Sequence, residues 1–197
     1  MNDKKGTESH PLDWSLESSR HLIEDRWLSL RHDVCRTPGG RTVDPYYVFE
    51  FPDWVNVVAV TERNEVVLVK QYRHGIGRTL LELPSGAVEE SDESPRQTAE
   101  RELLEETGYR GSAIVRCGAL SANPATHDNL GHSFLVTGCR RVAEPTPEEN
   151  EELEVVLVPL EELPALALAG EFLQALHVGA IWFALSKLGR PTVDRPE

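Results

Sequence analysis

Glu102, Glu105 and Glu106 stand at i, i+3 and i+4, a spacing that a helix gathers onto one face. Two carboxylates ~6 Å apart repel by roughly 2–3 kcal/mol at an effective dielectric near 20. Arg101, one turn before Glu105, relieves only part of that repulsion. Such crowding suits a face that receives something positive. Hard divalent cations take oxygen ligands, and Mg²⁺ in particular binds a few carboxylates together with substrate phosphates. Read without its neighbours, the same face could equally be a solvated acidic surface.

The elements around these glutamates are arranged to present them. Ser94-Pro95-Arg96-Gln97 offers a capping hydroxyl, a proline suited to the first helical position and a glutamine three residues after the serine. The helix should run to Thr107 and stop at Gly108, a residue type at home in the left-handed conformation. Before it, Leu81-Glu82-Leu83-Pro84-Ser85-Gly86 reads as a strand ending in a glycine loop. Further strands are expected from Trp27 to Cys35, over YYVFEF, and over VNVVAV and EVVLVKQY, the last two joined as a hairpin through Thr61–Asn64. SAIVRCGAL, HSFLVTGC and LEVVLVPL follow as strands. A last helix from about Glu171 to Leu188 places Leu173, Leu176, Ile181, Leu185 and Leu188 on one face. The first ~20 residues are polar and read as loose. This order predicts an α+β fold, a mixed β-sheet with helices packed on it.

Charge and composition narrow the partners. The chain has 197 residues, 33 acids against 20 bases and a formal net charge of −13. Two segments carry the imbalance: 86–106 holds eight acids against Arg96 and Arg101, and 144–162 holds eight acids and no base. That balance argues against nucleic acid as a partner, and no apolar run approaches the ~18 residues of a membrane span. The N-terminus has no apolar stretch of the kind a secretory leader needs. Cys35, Cys117 and Cys139 are scattered and odd in number, which points to a reducing, cytoplasmic setting rather than a disulfide framework.

The segment from Gly86 to Tyr109, GAVEESDESPRQTAERELLEETGY, resembles the signature of the Nudix hydrolases. Arg101, Glu102, Leu103, Glu105, Glu106, Gly108 and Tyr109 match every specified place in its second half, and Glu93 stands seven residues before Arg101. Six residues rather than five separate Gly86 from Glu93, an insertion of one residue in the loop. The resemblance implies the Nudix fold, with the mixed sheet sandwiched by helices as α/β/α layers. It implies that Glu102, Glu105 and Glu106 bind Mg²⁺ or Mn²⁺ together with the backbone carbonyl of Ser85. Arg101 would then hold the glutamates, with Glu93 as a structural partner.

Outside that segment the chain resembles the ADP-ribose and nucleoside-diphosphate-sugar pyrophosphatase branch. Gln71-Tyr72-Arg73 and LELPSG look like two of its elements, with Ser85 in place of the usual alanine, and Pro124 lies 16 residues beyond Gly108. The run Asn123 to Asn129 departs from well-studied members. The likeness implies hydrolysis of a linked diphosphate, ADP-ribose to AMP and ribose 5-phosphate being the leading reaction. Arg73, Gly86, Trp27, Pro124 and His127 are the expected substrate contacts, with His132 a further candidate. Glu105 and a loop glutamate, Glu151 or Glu152, are the expected catalytic groups. It also implies residues 1–45 as an N-terminal antiparallel extension that pairs in a homodimer, and 46–190 as the Nudix domain. Other linked diphosphates (a dinucleotide polyphosphate or a coenzyme) and a non-catalytic nucleotide sensor are the competing readings.

Overall fold

A computed structural model of the chain describes residues 10–147 and 151–189. The described residues form two compact units, one of residues up to Phe51 together with Asn123–Asp128 and one of Pro52–Ala122 together with those from Asn129 on. The division therefore falls between Phe51 and Pro52, whereas the sequence suggested a boundary at residue 45, inside the third strand.

The first unit is an antiparallel sheet of β1 (Ser15–Glu24), β2 (Ser29–Arg36) and β3 (Thr42–Glu50) in that order. The expected loose N-terminus is thus a strand from Ser15 onward. All ten residues of β1 are exposed; without a buried face it has no apolar alternation to betray it, and only pairing with β2 defines it. Polar contacts supply part of the interior. Arg31 pairs with Asp33 at 2.8 Å and with Glu50, while Ser19 donates to Asp33 at 2.6 Å. His127 packs its ring 5.5 Å from Phe49 and 5.6 Å from Phe51.

The second unit is built on an eight-stranded mixed sheet. Its strands are β4 (Trp54–Thr61), β5 (Glu65–Arg73), β6 (Arg78–Glu82), β7 (Ser85–Ala87), β8 (Tyr109–Arg110), β9 (Ala113–Leu120), β10 (Gly131–Arg141) and β11 (Leu153–Pro159). The spine runs β11-β5-β4-β10-β8, with β6 on β5, β7 on β4 and β9 on β10. β4 and β10 are parallel and central, so apolar residues line both of their faces. Val55, Val57 and Ala59 meet Ala99 and Leu103 of α1 (Pro95–Thr107). The alternate residues Val58 and Val60 meet Ile181, Ala184 and Leu185 of α3 (Ala175–Lys187). A short α2 (Leu163–Leu168) precedes α3. The last helix begins four residues later than the sequence suggested, leaving Leu173 ahead of it and 45% exposed. Its buried face instead includes His177, which is fully buried.

Helix α1 starts and stops where its capping residues require. Ser94 Oγ accepts from the Gln97 N–H at 3.4 Å, and Gln97 Oε1 reaches back to the Glu93 N–H at 2.7 Å, one residue short of a reciprocal box. Gly108 closes the helix at φ 75°, and a Cβ there would lie 2.1 Å from the Ala143 carbonyl oxygen. Gly108→Ala would combine left-handed strain of about 1–2 kcal/mol with that backbone collision. Its thermal midpoint is expected to drop by about 4–8 °C in a calorimetric scan, and an unchanged midpoint would contradict this packing.

Candidate functional site

Register places the glycine loop against the carboxylate helix. Val57 N–H donates to Pro84 O at 2.9 Å, which makes Asn56–Ser85 the pair on β4 and β7 that exchanges no hydrogen bonds. Both the N–H and the C=O of Ser85 therefore point away from β4. The N–H meets Glu106 Oε2 at 3.0 Å, and the carbonyl lies on that same side. Gly86, opposite Val55, faces α1 so closely that a Cβ there would fall 2.1 Å from Glu102 Oε1. Glycine leaves open the space that the Glu102 carboxylate fills.

The three glutamates share a face but not an environment. Glu106 is 2% exposed, the Glu102 side chain 13% and the Glu105 side chain 42%. Burial pushes the Glu102 carboxyl up to about 7 against the pull of Arg101, with Glu105 adding to the rise. Burial and then the charge of Glu102 push Glu106 well above the usual carboxylate range, outweighing the Ser85 N–H. The ion pair at Glu102 is short, 2.8 Å to Arg101, yet desolvation and like charge win.

Arg101 is the hub of the loop side. It reaches Asp92 at 3.0 Å, Glu102 at 2.8 Å, Glu105 at 3.1 Å and the Ala87 carbonyl at 3.2 Å. The acid that holds it is Asp92, not Glu93. Asp92 is the sixth residue after Gly86, the place a loop without the insertion would give its acid, and its side chain is 3% exposed. Arg101 draws its carboxyl below the usual range, and the Thr98 hydroxyl and Glu89 N–H add to this. Glu93 instead caps the helix through its backbone.

A second pair borders the carboxylates. Arg73 Nη2 meets Glu82 Oε2 at 2.6 Å and its Nε meets both carboxylate oxygens at 3.1 Å, with Glu82 2% exposed. Burial opposes the Arg73 charge, but Glu82, Glu106 and Glu151 together raise its pKa. Glu151 also raises Glu102 and Glu106. The ladder explains its reach: Leu153 pairs with Gln71, so continuing it two residues sets Glu151 opposite Arg73 on the α1 face. Glu152 alternates to the other side of β11 and is exposed. Glu148 and Glu149, also in the acidic loop, lie outside the described residues.

The sequence candidates thus separate. Ser85, Gly86, Arg73, Glu102, Glu106 and Glu151 converge, Glu105 is turned outward onto Arg101, and Glu152 is not among them. Trp27, Pro124 and His127 belong to the first unit. The Trp27 residue is 73% exposed and carries the Arg26 guanidinium 4.5 Å over its ring, and His127 Nδ1 lies 3.0 Å from the Thr126 hydroxyl. His132 is consumed structurally, by Asp53 at 2.8 Å and Arg116 at 3.0 Å. A cleft of about 490 Å³ is lined by Arg96, Glu100, Arg101, Leu104 and Arg110, and none of Glu102, Glu105 and Glu106 lines it. Sequence reasoning missed Asp92, Glu82 and His177; counting from Gly86 finds the first and strand alternation in Leu81–Leu83 the second.

Among the described residues no group of three or more acidic, histidine or cysteine side chains is arranged to hold a metal ion. The donor set nevertheless fits a hard one: two carboxylates whose charge is disfavoured by burial and mutual repulsion, beside a carbonyl turned out of its ladder, all oxygen. Gly86→Ala tests the fit, because only the tip of a flexible side chain must give way. The fold should survive with little change in melting, while displacement of Glu102 should weaken Mn²⁺ binding by about 10–100-fold in a titration. Unchanged Mn²⁺ affinity would contradict the arrangement.

The chain is similar to known proteins along most of its length. A family model described as the NUDIX domain matches residues 51–176, and one described as the nucleoside diphosphate sugar hydrolase N-terminal domain matches residues 14–49. The chain is 32% identical to an ADP-ribose pyrophosphatase of Mycobacterium tuberculosis over 86% of this chain and 82% of that one. It is 34% identical to an ADP-ribose pyrophosphatase of Bacillus subtilis, over 84% and 89%. A mouse ADP-sugar pyrophosphatase is 31% identical over 83% and 81%. A crystal structure titled ADP compounds hydrolase shares the fold with a TM-score of 0.79 at 20% identity, covering 93% of this chain and 100% of that one. A carboxylate helix set against its glycine loop on a mixed sheet, within a segment that the family model spans, makes this chain a member of the Nudix hydrolase family.

Proposed function

We propose that the chain hydrolyses the diphosphate bridge of a nucleoside-diphosphate sugar, converting ADP-ribose to AMP and ribose 5-phosphate with Mg²⁺ or Mn²⁺. The observation that carries this reading is the buried pair Glu102 and Glu106 facing the outward carbonyl of Ser85, an oxygen-only donor set beside a fixed arginine. The names and coverage of the pyrophosphatase relatives support the substrate class. Glu102, Glu106 and the Ser85 carbonyl would hold the cation; bound there, it acidifies water and offsets charge developing on phosphate oxygens. Arg73, kept charged and oriented by Glu82, offers a planar donor pair to a phosphate. Glu151 accepts a proton from the attacking water as the new P–O bond forms and the bridging P–O bond breaks. Trp27, His127 and Pro124 are proposed substrate contacts on the family resemblance alone.

The choice among linked diphosphates is tested by a panel of ADP-ribose, ADP-glucose, GDP-mannose, a diadenosine polyphosphate and coenzyme A. ADP-ribose should give the highest kcat/KM. Binding of ADP-ribose without turnover of any member would favour the sensor reading instead.

We further propose a homodimer through the first unit. Leu16, Leu22 and Ile23 of β1 and the nearby Trp14 are all exposed, more apolar surface than an edge strand carries without a partner. Light scattering should give twice the chain mass, and a stable monomer would refute it. A cytoplasmic setting is supported by three unpaired cysteines, and no described helix is long and apolar enough to cross a membrane. The acidic balance disfavours nucleic acid and anionic membrane surfaces as partners.

A further inference from the structure

The α3 face of the central sheet carries a polar patch that the proposed reaction does not use. Trp54 Nε1, both amide atoms of Asn56, Ser121 Oγ, Ser133 Oγ, Gln174 Oε1 and His177 Nε2 are buried without a hydrogen-bond partner among the described residues. Asn56, Ser133 and His177 are at most 1% exposed. Asn56 and Ser133 are cross-strand neighbours on β4 and β10, on the side of Val58 and Leu135, so they face α3 and not α1. The start of α3 lies directly above them: a Cβ at Gly131 would fall 2.8 Å from Leu176 and 3.3 Å from Asn56 Nδ2. Buried polar atoms of native proteins are almost always satisfied, so the orphaned atoms of Asn56, Ser133 and His177 under the start of α3 point to a bound polar ligand.

One member of the patch touches the loop. His177 Nδ1 receives the Leu83 N–H at 3.4 Å. Accepting there requires a lone pair, which puts the ring proton on Nε2, the orphaned atom. Burial, helped by Arg73, pushes the ring pKa down to about 3, so it is neutral at physiological pH. Leu83 lies two residues before Ser85, and among the described residues the segment between is tied elsewhere by Pro84 O to Val57 and Ser85 N–H to Glu106.

We propose that Asn56, Ser133 and His177 form a buried water-binding shelf behind the Leu83–Gly86 turn, and that His177 is a positioning residue for the Ser85 carbonyl. This deepens, and rests on, the reading of that carbonyl as a cation ligand. Water fits the donor and acceptor count: Nε2–H and Asn56 Nδ2 donate, Asn56 Oδ1 and Gln174 Oε1 accept, and a serine hydroxyl does either. An internal water takes two to four such partners. With water holding Nε2–H, the ring keeps the one tautomer and orientation that can receive the Leu83 amide. The shelf and Glu106 thus fix the turn from opposite faces of the sheet.

The test uses the full chain and Mn²⁺ binding read by electron paramagnetic resonance, alongside turnover. His177→Leu should weaken Mn²⁺ binding by about tenfold, in the range expected for partners that orient a metal ligand. The cation concentration for half-maximal activity should rise in parallel, with KM for nucleotide at saturating cation within about twofold. His177→Asn, whose Oδ1 can take the Leu83 amide, should recover most of the affinity. The unmodified protein supplies a measurement independent of any variant's folding: its long-range ¹H–¹⁵N spectrum should place the His177 proton on Nε2, with a slowly exchanging Leu83 amide. A proton on Nδ1 overturns the proposal, as does a leucine variant with unchanged melting and unchanged Mn²⁺ affinity. Glu106→Gln separates the two failures. If it loses Mn²⁺ while His177→Leu does not, only the positioning role falls; if both bind normally, the carboxylate reading falls and takes the shelf with it.

Discussion

Glu106→Gln lowers turnover by at least about 100-fold and leaves the fold standing, the size expected for loss of a preorganised electrostatic element. The substitution keeps shape and retains an oxygen that can accept the Ser85 N–H, so the β7 turn is not released. What it removes is a negative charge that burial and Glu102 both oppose. The cation-free variant should therefore melt no lower than the unmodified chain. Steady-state turnover and a thermal scan on the same preparation check both halves. Normal turnover would remove Glu106 from the site, and a collapsed melting transition would make its role structural.

Glu151→Gln is expected to cut kcat by about 10²–10⁴, the usual range for a general base, with KM little changed. Glu152→Gln and Glu161→Gln should behave like the unmodified chain. The distinction rests on alternation: Glu151 shares the α1 face with Arg73 and Glu82, and its charge is felt by Arg73, Glu102 and Glu106. Glu152 faces the opposite way at the same strand entrance. Equal losses at 151 and 152 would mean the loop acts as a charged whole. No loss at either would send the search for the base to other residues.

Much of this site could be read from the chain because its determinants are local. Three glutamates at helical spacing, a serine cap and a closing glycine define α1 without reference to anything distant, and α1 ends at those residues. The Val-rich strands were legible for the same reason: they are buried on both faces, and burial leaves a compositional trace. What escaped depends on partners far along the chain. β1 has no buried side and exists through β2. Asp92 took the place expected of Glu93 because a loop with an extra residue offers Arg101 two acids, and counting back from Arg101 rather than on from Gly86 picks the wrong one. Arg73 was legible as a substrate contact, but its partner Glu82 was not, because only the pairing of β6 with β5 lays that carboxylate beside it. His177 sits among leucines and alanines on a helix whose periodicity marked only the apolar positions, and nothing local announces a Leu83 amide above it. The choice between Glu151 and Glu152, by contrast, was available from period-2 alternation once Leu153 and Val155 are given the α1 face.

The most direct test of the account follows ADP-ribose with the purified full chain in ¹⁸O-labelled water and quantifies both products by chromatography and mass spectrometry. The account predicts equimolar AMP and ribose 5-phosphate with label in a product phosphate, none in the presence of a chelator, and recovery on excess Mg²⁺ or Mn²⁺. Intact ADP-ribose at saturating Mg²⁺ and Mn²⁺, or product formation unaffected by the chelator, would contradict it.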